Sequence, residues 1–120
     1  MAHVHHRIDY LEITVDDLAT AKRFFHEAFG WSFNDYGPAY AGIQGEDGEV
    51  GGLTEGEVRA GGPLVVLFSD DLGASEAAVI AAGGTIVREP FDFPGGRRFH
   101  FSDPSGNELA VWALPPGRRG

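Results

Sequence analysis

The feature that most constrains this chain is a sequence that passes twice through the same order of elements. Thr14-Val15-Asp16-Asp17-Leu18 returns as Phe68-Ser69-Asp70-Asp71-Leu72, an offset of 54 (Asp16 to Asp70) that also carries Gly30 to Gly84. In each half a short apolar strand runs into Asp-Asp-Leu, then a helical stretch, then glycine. Self-similarity at such a period marks one supersecondary unit packed against its copy.

Residues 8–15 alternate as a half-buried strand, with Leu11, Ile13 and Val15 on one face and Tyr10, Glu12 and Thr14 on the other. Asp16 or Asp17 can cap a helix, because a short side-chain oxygen accepts from free N–H groups of its first turn. Leu18, Ala21, Phe25 and Ala28 then form an apolar stripe that Phe24 and Phe29 widen. Gly30 suits a left-handed C-cap. Strands are expected over 31–36, 39–44 and 49–54, and the charged, glycine-bearing stretch 55–62 reads as a linker between halves of about 8–54 and 63–113.

The second half repeats the order: strand 64–68, helix 71–82, strand 85–89, then a hairpin of 98–102 and 107–113 across Asp103-Pro104-Ser105-Gly106. Proline at the second position and glycine at the fourth favour a type I turn. The closing hairpins match at the larger offset of Gly48 to Gly106, so the second half carries about four extra residues, placed in 90–96. The expectation is an α+β fold in one domain over 1–120. Two tandem βαβββ modules form a curved eight-stranded mixed-sheet cup, helices on the convex face.

The chain is 120 residues long with a formal charge of −9, nine Lys+Arg facing eighteen Asp+Glu. That balance argues against nucleic acid as a partner, since a binder needs a basic footprint. No apolar run approaches membrane-spanning length, and the start Met1-Ala2-His3-Val4-His5-His6-Arg7 lacks a signal-peptide core, so no membrane partner and a cytoplasmic location are expected. With no cysteine, disulfides, thiolate metal sites and a cysteine nucleophile are excluded. No phosphate-cradling loop and no Ser-His-Asp arrangement can be assembled.

Two stretches carry a family resemblance: Ile8-Asp9-Tyr10-Leu11-Glu12-Ile13-Thr14-Val15-Asp16-Asp17-Leu18 with Phe24-Phe25 and Phe29-Gly30-Trp31, and Phe99-His100-Phe101-Ser102-Asp103-Pro104-Ser105-Gly106-Asn107-Glu108-Leu109. Over residues 8–112 the chain resembles the vicinal oxygen chelate superfamily, which includes glyoxalase I, bleomycin-resistance proteins and extradiol dioxygenases. The resemblance implies a cup-shaped small-molecule site and a homodimer, with pockets inside one chain or across two. It also implies metal ligands on the first and last strand of each half, at positions that hold Tyr10, Gly52, Leu64 and Ala110 here. Three of these four cannot coordinate through a side chain, so no metal ligand and no cofactor are expected. Glu12 and Glu108, two residues away on the same strand faces, could hold Mg²⁺ or Mn²⁺ weakly, which leaves a divalent ion as the alternative.

The expected ligand pocket is lined by Tyr10, Glu12, Thr14, Leu64, Val66, Phe68, Phe99, Phe101, Glu108, Ala110 and Trp112, with Tyr10, Glu12 and Glu108 as candidate catalytic groups. Such a lining suits a flat or greasy organic molecule, and the carboxylates would make poor core residues. A two-residue turn opposes Phe99 to Ala110, His100 to Leu109 and Phe101 to Glu108, which points His100 at the helix layer; a bulge would invert this. His3, His5 and His6 read as a solvated tail, Arg118-Arg119 as part of a frayed end, and His26 as a surface residue. The expected function is therefore binding of an apolar or aromatic molecule, sequestered or acted on by acid–base chemistry. A metal-dependent lyase of the glyoxalase I type and a non-catalytic accessory subunit are the alternatives.

Overall fold

The computed structural model describes residues 3–5, 8–59 and 61–115; His6 and Arg118-Arg119 lie outside the described residues. The first half runs β1 (Leu11–Val15), α1 (Leu18–Phe29), β2 (Phe33–Asp35), β3 (Tyr40–Gly45) and β4 (Gly48–Glu55). The second runs β5 (Val65–Phe68), α2 (Leu72–Ala81), β6 (Thr85–Phe93), β7 (Gly96–Ser102) and β8 (Glu108–Ala113). The eight strands divide between two four-stranded mixed sheets, ordered β1-β4-β3-β2 and β5-β8-β7-β6. In each, the first strand pairs parallel with the last and the other ladders are antiparallel. The repeat in sequence is thus a repeat in topology.

The local causes match between halves. Asp17 Oδ1 accepts from Thr20 N at 3.3 Å, and Asp71 Oδ1 from Ala74 N at 3.1 Å, each satisfying a free donor at a helix start. Gly30 closes α1 at φ 74°, a conformation glycine adopts without Cβ strain. Its repeat mate does different work. Gly83 takes the left-handed turn at φ 104°, whereas a Cβ on Gly84 would lie 2.6 Å from Val79 and 3.0 Å from Phe24. Gly84 is therefore the point where the second half closes on α1. The extra residues of the second half lengthen one hairpin: β6 and β7 pair from Thr85↔Ser102 to Phe93↔Gly96, with bulges, where β2 has only three residues.

One core serves both halves. Val15, Leu18, Phe24, Phe25, Leu53 and Val79 are buried together with Phe99, Phe101, Leu109 and Val111. Phe24 and Phe29 reach from α1 to Phe101, with ring centroids 6.1 and 5.6 Å apart. Each buried phenylalanine contributes about 1.5–3 kcal/mol by removal from water.

The β7–β8 register corrects the expected one. Ser102 pairs with Glu108, Phe101 with Leu109, His100 with Ala110 and Phe99 with Val111. Gly106 N donates to Asp103 O at 3.0 Å, Asp103 N donates to Asn107 O at 2.9 Å, and Gly106 sits at φ +94°. This is a type I turn extended by a left-handed glycine, a three-residue loop rather than a two-residue one. The extra residue shifts pairing by one and exchanges the faces. Phe99 and Phe101, expected in the pocket, are fully buried in the core, and His100 lies on the opposite face beside Glu108.

Candidate functional site

The β7–β8 turn is tied to the edge of β1, which positions the site. Asn107 Nδ2 donates to Thr14 O at 2.8 Å and to Asp103 Oδ2 at 3.0 Å, and Ser105 Oγ donates to Asp16 Oδ1 at 2.8 Å. Asp103 holds the turn by accepting from Ser105 N and Asn107 N. Burial pushes its carboxyl above the usual carboxylate range, while hydrogen bonds from Asn107, Ser105 and Gly106 pull the other way.

Beside this clamp lies a cleft of about 700 Å³. Its walls are β1 at Glu12, Ile13 and Thr14, Glu57, Arg59, Gly61 and Gly62 of the linker, Pro63, Leu64 and Val65 leading into β5, and Gly106 to Leu109. Of the residues expected to line a pocket, Glu12, Thr14, Leu64 and Glu108 meet here. Tyr10, Val66, Phe68, Ala110 and Trp112 are not among the lining residues.

Most of that second group belongs to the uncovered face of the second sheet. Val66 pairs with Ala110 and Phe68 with Trp112, so they share a face opposite Val65, Leu67, Leu109 and Val111. Phe68 is 50% exposed and contacts Trp112 edge-on at 5.1 Å, and Trp112 contacts Phe93 at 6.3 Å. Arg88 lies 3.7 Å over the Phe91 ring and Arg98 5.4 Å from it. His100 is buried on this face, with Nδ1 2.8 Å from Glu108 Oε2. Its Nε2, like Arg98 Nε, is buried without a hydrogen-bond partner among the described residues.

The uncovered face of the first sheet is phenolic and acidic. Tyr10 Oη and Tyr40 Oη lie 2.6 Å apart, and Tyr40 donates to Glu12 Oε2 at 3.0 Å. The bonds to Tyr10 and Glu12, with burial, push the Tyr40 hydroxyl well above its ordinary pKa. Beneath them is Gly52, where a Cβ would collide with both tyrosine hydroxyls. Next to it Gly42, its ladder partner, lies under the Glu49 carboxylate. Glu49 accepts from Tyr36 and from Asn34, and the Tyr36 bond chiefly holds its pKa below the usual value.

Tyr40, Tyr36, Asn34 and Glu49 were missed in sequence. The available signal was the pair Gly42 and Gly52 in mid-strand, since glycine there marks a close approach. His26, expected on the surface, is exposed, with Nδ1 2.9 Å from Trp31 O. His3 pairs with Asp9 at 2.6 Å on the exterior.

The metal-ligand positions implied by the resemblance offer a poor donor set. Gly52, Leu64 and Ala110 have no coordinating side-chain atom, and the Tyr10 hydroxyl is bonded to Tyr40. Among the described residues no group of three His, Cys, Asp or Glu side chains is placed to hold a metal ion. No described helix is long and apolar enough to cross a membrane.

Comparison with known proteins agrees with the topology. The chain is 32% identical over 118 residues to the anthracycline biosynthesis protein DauV of Streptomyces sp. (strain C5), covering 89% of this chain and 41% of that protein. It is 25% identical to the putative glyoxylase CFP32 of Mycobacterium tuberculosis, covering 87% and 44%. The chain thus spans less than half the length of these curated relatives. Among solved structures, a glyoxalase-related enzyme from Fulvimarina pelagi superposes with a TM-score of 0.78 at 21% identity, over 96% of this chain and 93% of that one. TnmS3, an antibiotic binding protein from Streptomyces sp. CB03234, superposes at 0.68 and 24% identity, over 95% and 98%. The profile of one family matches residues 7–111. With the duplicated βαβββ topology, that match places the chain in the Glyoxalase/Bleomycin resistance protein/Dioxygenase superfamily.

Proposed function

We propose that the chain binds a small, largely apolar or aromatic organic molecule in the cleft beside the β7–β8 turn, without a metal ion. It either sequesters that molecule or acts on it by acid–base chemistry through Tyr10, Glu12 or Glu108. The observation that carries this reading is the convergence of Glu12 and Glu108 with Ile13, Leu64 and Val65 on one cleft. Its volume falls within the range of about 300–1,000 Å³ that organic ligands occupy. As carboxylates, Glu12 and Glu108 can accept a proton or a hydrogen bond from such a ligand. The relatives add support, since one acts in anthracycline biosynthesis and one structural neighbour binds an antibiotic.

A lyase of the glyoxalase I type is disfavoured by the donor set. Its enediolate requires stabilisation by a metal, and Gly52, Leu64 and Ala110 supply no ligand. An accessory binding subunit without turnover remains a version of the same binding reading. The exposed apolar side chains of Leu64, Val66 and Phe68 support a homodimer that covers the face of the second sheet. Sedimentation velocity tests that part, with a dimer as the expected species.

The deciding experiment is metal content by mass spectrometry after incubation with Ni²⁺, Zn²⁺, Mn²⁺ and Fe²⁺ and desalting. Negligible retention, together with thermal stabilisation by members of an aromatic compound library, is the expected result. Near-stoichiometric metal that survives replacement of His3, His5 and His6 by alanine would overturn the metal-free reading.

A further inference from the structure

The side chains behind the cleft orient the carboxylates it presents. Glu12 is held from the first sheet by Tyr40, which donates to Oε2 at 3.0 Å. Glu108 is held from the second sheet by His100, whose Nδ1 lies 2.8 Å from Oε2. Each carboxylate is thus fixed through one oxygen from outside the cleft. Neither Oε1 has a hydrogen-bond partner among the described residues. Among the other polar side chains of the wall, Thr14, Glu57, Arg59 and Asn107, the last is spent in the same sense: both Asn107 amide hydrogens go to Thr14 O and Asp103 Oδ2, leaving its Oδ1. An ionised carboxylate has lone pairs and no donor.

The arrangement is built, because its anchors are structured. Tyr40 is half-buried over Gly52, where a side chain would displace it, and Tyr10 is bonded to its hydroxyl. The His100 side chain is 9% exposed, and the Phe91 ring lies 5.9 Å from its own. Arg59, on the linker, is the sole basic side chain in the lining.

We propose that Tyr40 and His100 are specificity-determining positioning residues, and that they make the cleft select ligands carrying two hydrogen-bond donors, such as hydroxyl or amino groups on an apolar frame. A ligand of the same shape bearing only acceptors would bury two carboxylate oxygens opposite lone pairs, which costs more than a missing bond alone. The inference rests on the reading of this cleft as the ligand site.

The test uses naphthalene-2,6-diol and its dimethyl ether as probes, with amide chemical shifts of Gly61, Gly62 and Gly106 reporting the cleft. The expected result is that the diol moves those amides and binds at least about ten-fold more tightly than the diether. Tyr40→Phe and His100→Leu should each erase most of that preference. His100→Asn, which retains an N–H donor, should keep it, an outcome that a purely structural role would not produce. Equal affinities in the unaltered protein, or a preference unchanged in Tyr40→Phe and His100→Leu, would overturn the selection while leaving the cleft as a ligand site. If neither probe moves those amides, both the selection and the ligand-site reading fall.

Discussion

The amide of Asn107 donates to the main-chain carbonyl of Thr14 at 2.8 Å, so the last hairpin of the second half is tied to the first strand of the first half. The second amide hydrogen goes to Asp103 Oδ2. Asn107→Ala removes both bonds and leaves Thr14 O and the Asp103 carboxylate short of donors. The expected loss is about 1–3 kcal/mol in urea unfolding. Asn107→Asp, which cannot donate, should lose at least as much. A loss below a few tenths for both would show that the tie is immaterial.

The β7–β8 register predicts an asymmetry between two aromatics expected on the same face in sequence. Phe101 is fully buried and Phe68 is 50% exposed. Phe101→Ala should cost about 3–5 kcal/mol, as large core truncations do. Phe68→Ala should cost about 1 kcal/mol or less. Similar losses in urea denaturation would contradict the register.

Gly52 and Tyr40 should be energetically coupled. A methyl at Gly52 would meet the hydroxyls of Tyr40 and Tyr10, so Gly52→Ala should cost about 1–2 kcal/mol by breaking their hydrogen bonds. In a Tyr40→Phe background the same substitution meets one hydroxyl fewer. A double-mutant cycle should therefore give a coupling of at least about 0.5 kcal/mol. Simple additivity is the outcome that would refute the contact.

Asp103 sets a pH dependence whose sign follows from its environment. Burial raises its carboxyl pKa above the unfolded value, so in the window just above the ordinary carboxylate range the folded chain holds a proton that the unfolded chain releases. This contribution to stability is present below the unfolded pKa and is lost as pH rises through the folded one. The stability difference between the unaltered protein and Asp103→Asn should thus change across that acidic window, in favour of the variant as pH rises. A pH-independent difference would refute the shift.

Where the sequence was legible, the physics was local. The cap at Asp17, one of two candidates with Asp16, the left-handed Gly30 and the apolar stripe of α1 each rest on a few neighbouring residues and match the expectation, whereas Asp71, expected as the first residue of its helix, is its cap. The α2 helix starts at Leu72, one residue after the expected start, and Gly83 rather than Gly84 takes the left-handed turn. The faces of β7 were misassigned for an equally local reason: Asp103-Pro104-Ser105-Gly106 fits a type I turn with or without a following left-handed glycine, and that one residue decides which side chains are inside. Of the site, Glu12, Thr14, Leu64 and Glu108 could be read from strand alternation. Tyr40, His100 and Asn107 could not, because their roles arise from partners 28, 8 and 93 residues away in sequence.

The packing of Phe24 and Phe29 of α1 against Phe101 of β7 bears on how the duplicated halves live apart. Cut at the linker, each fragment would expose an aromatic wall that its twin now shields. The repeat is therefore modular in topology but not in mechanics. A severed half should clump in solution, and two halves mixed together should find one another and reconstitute the whole.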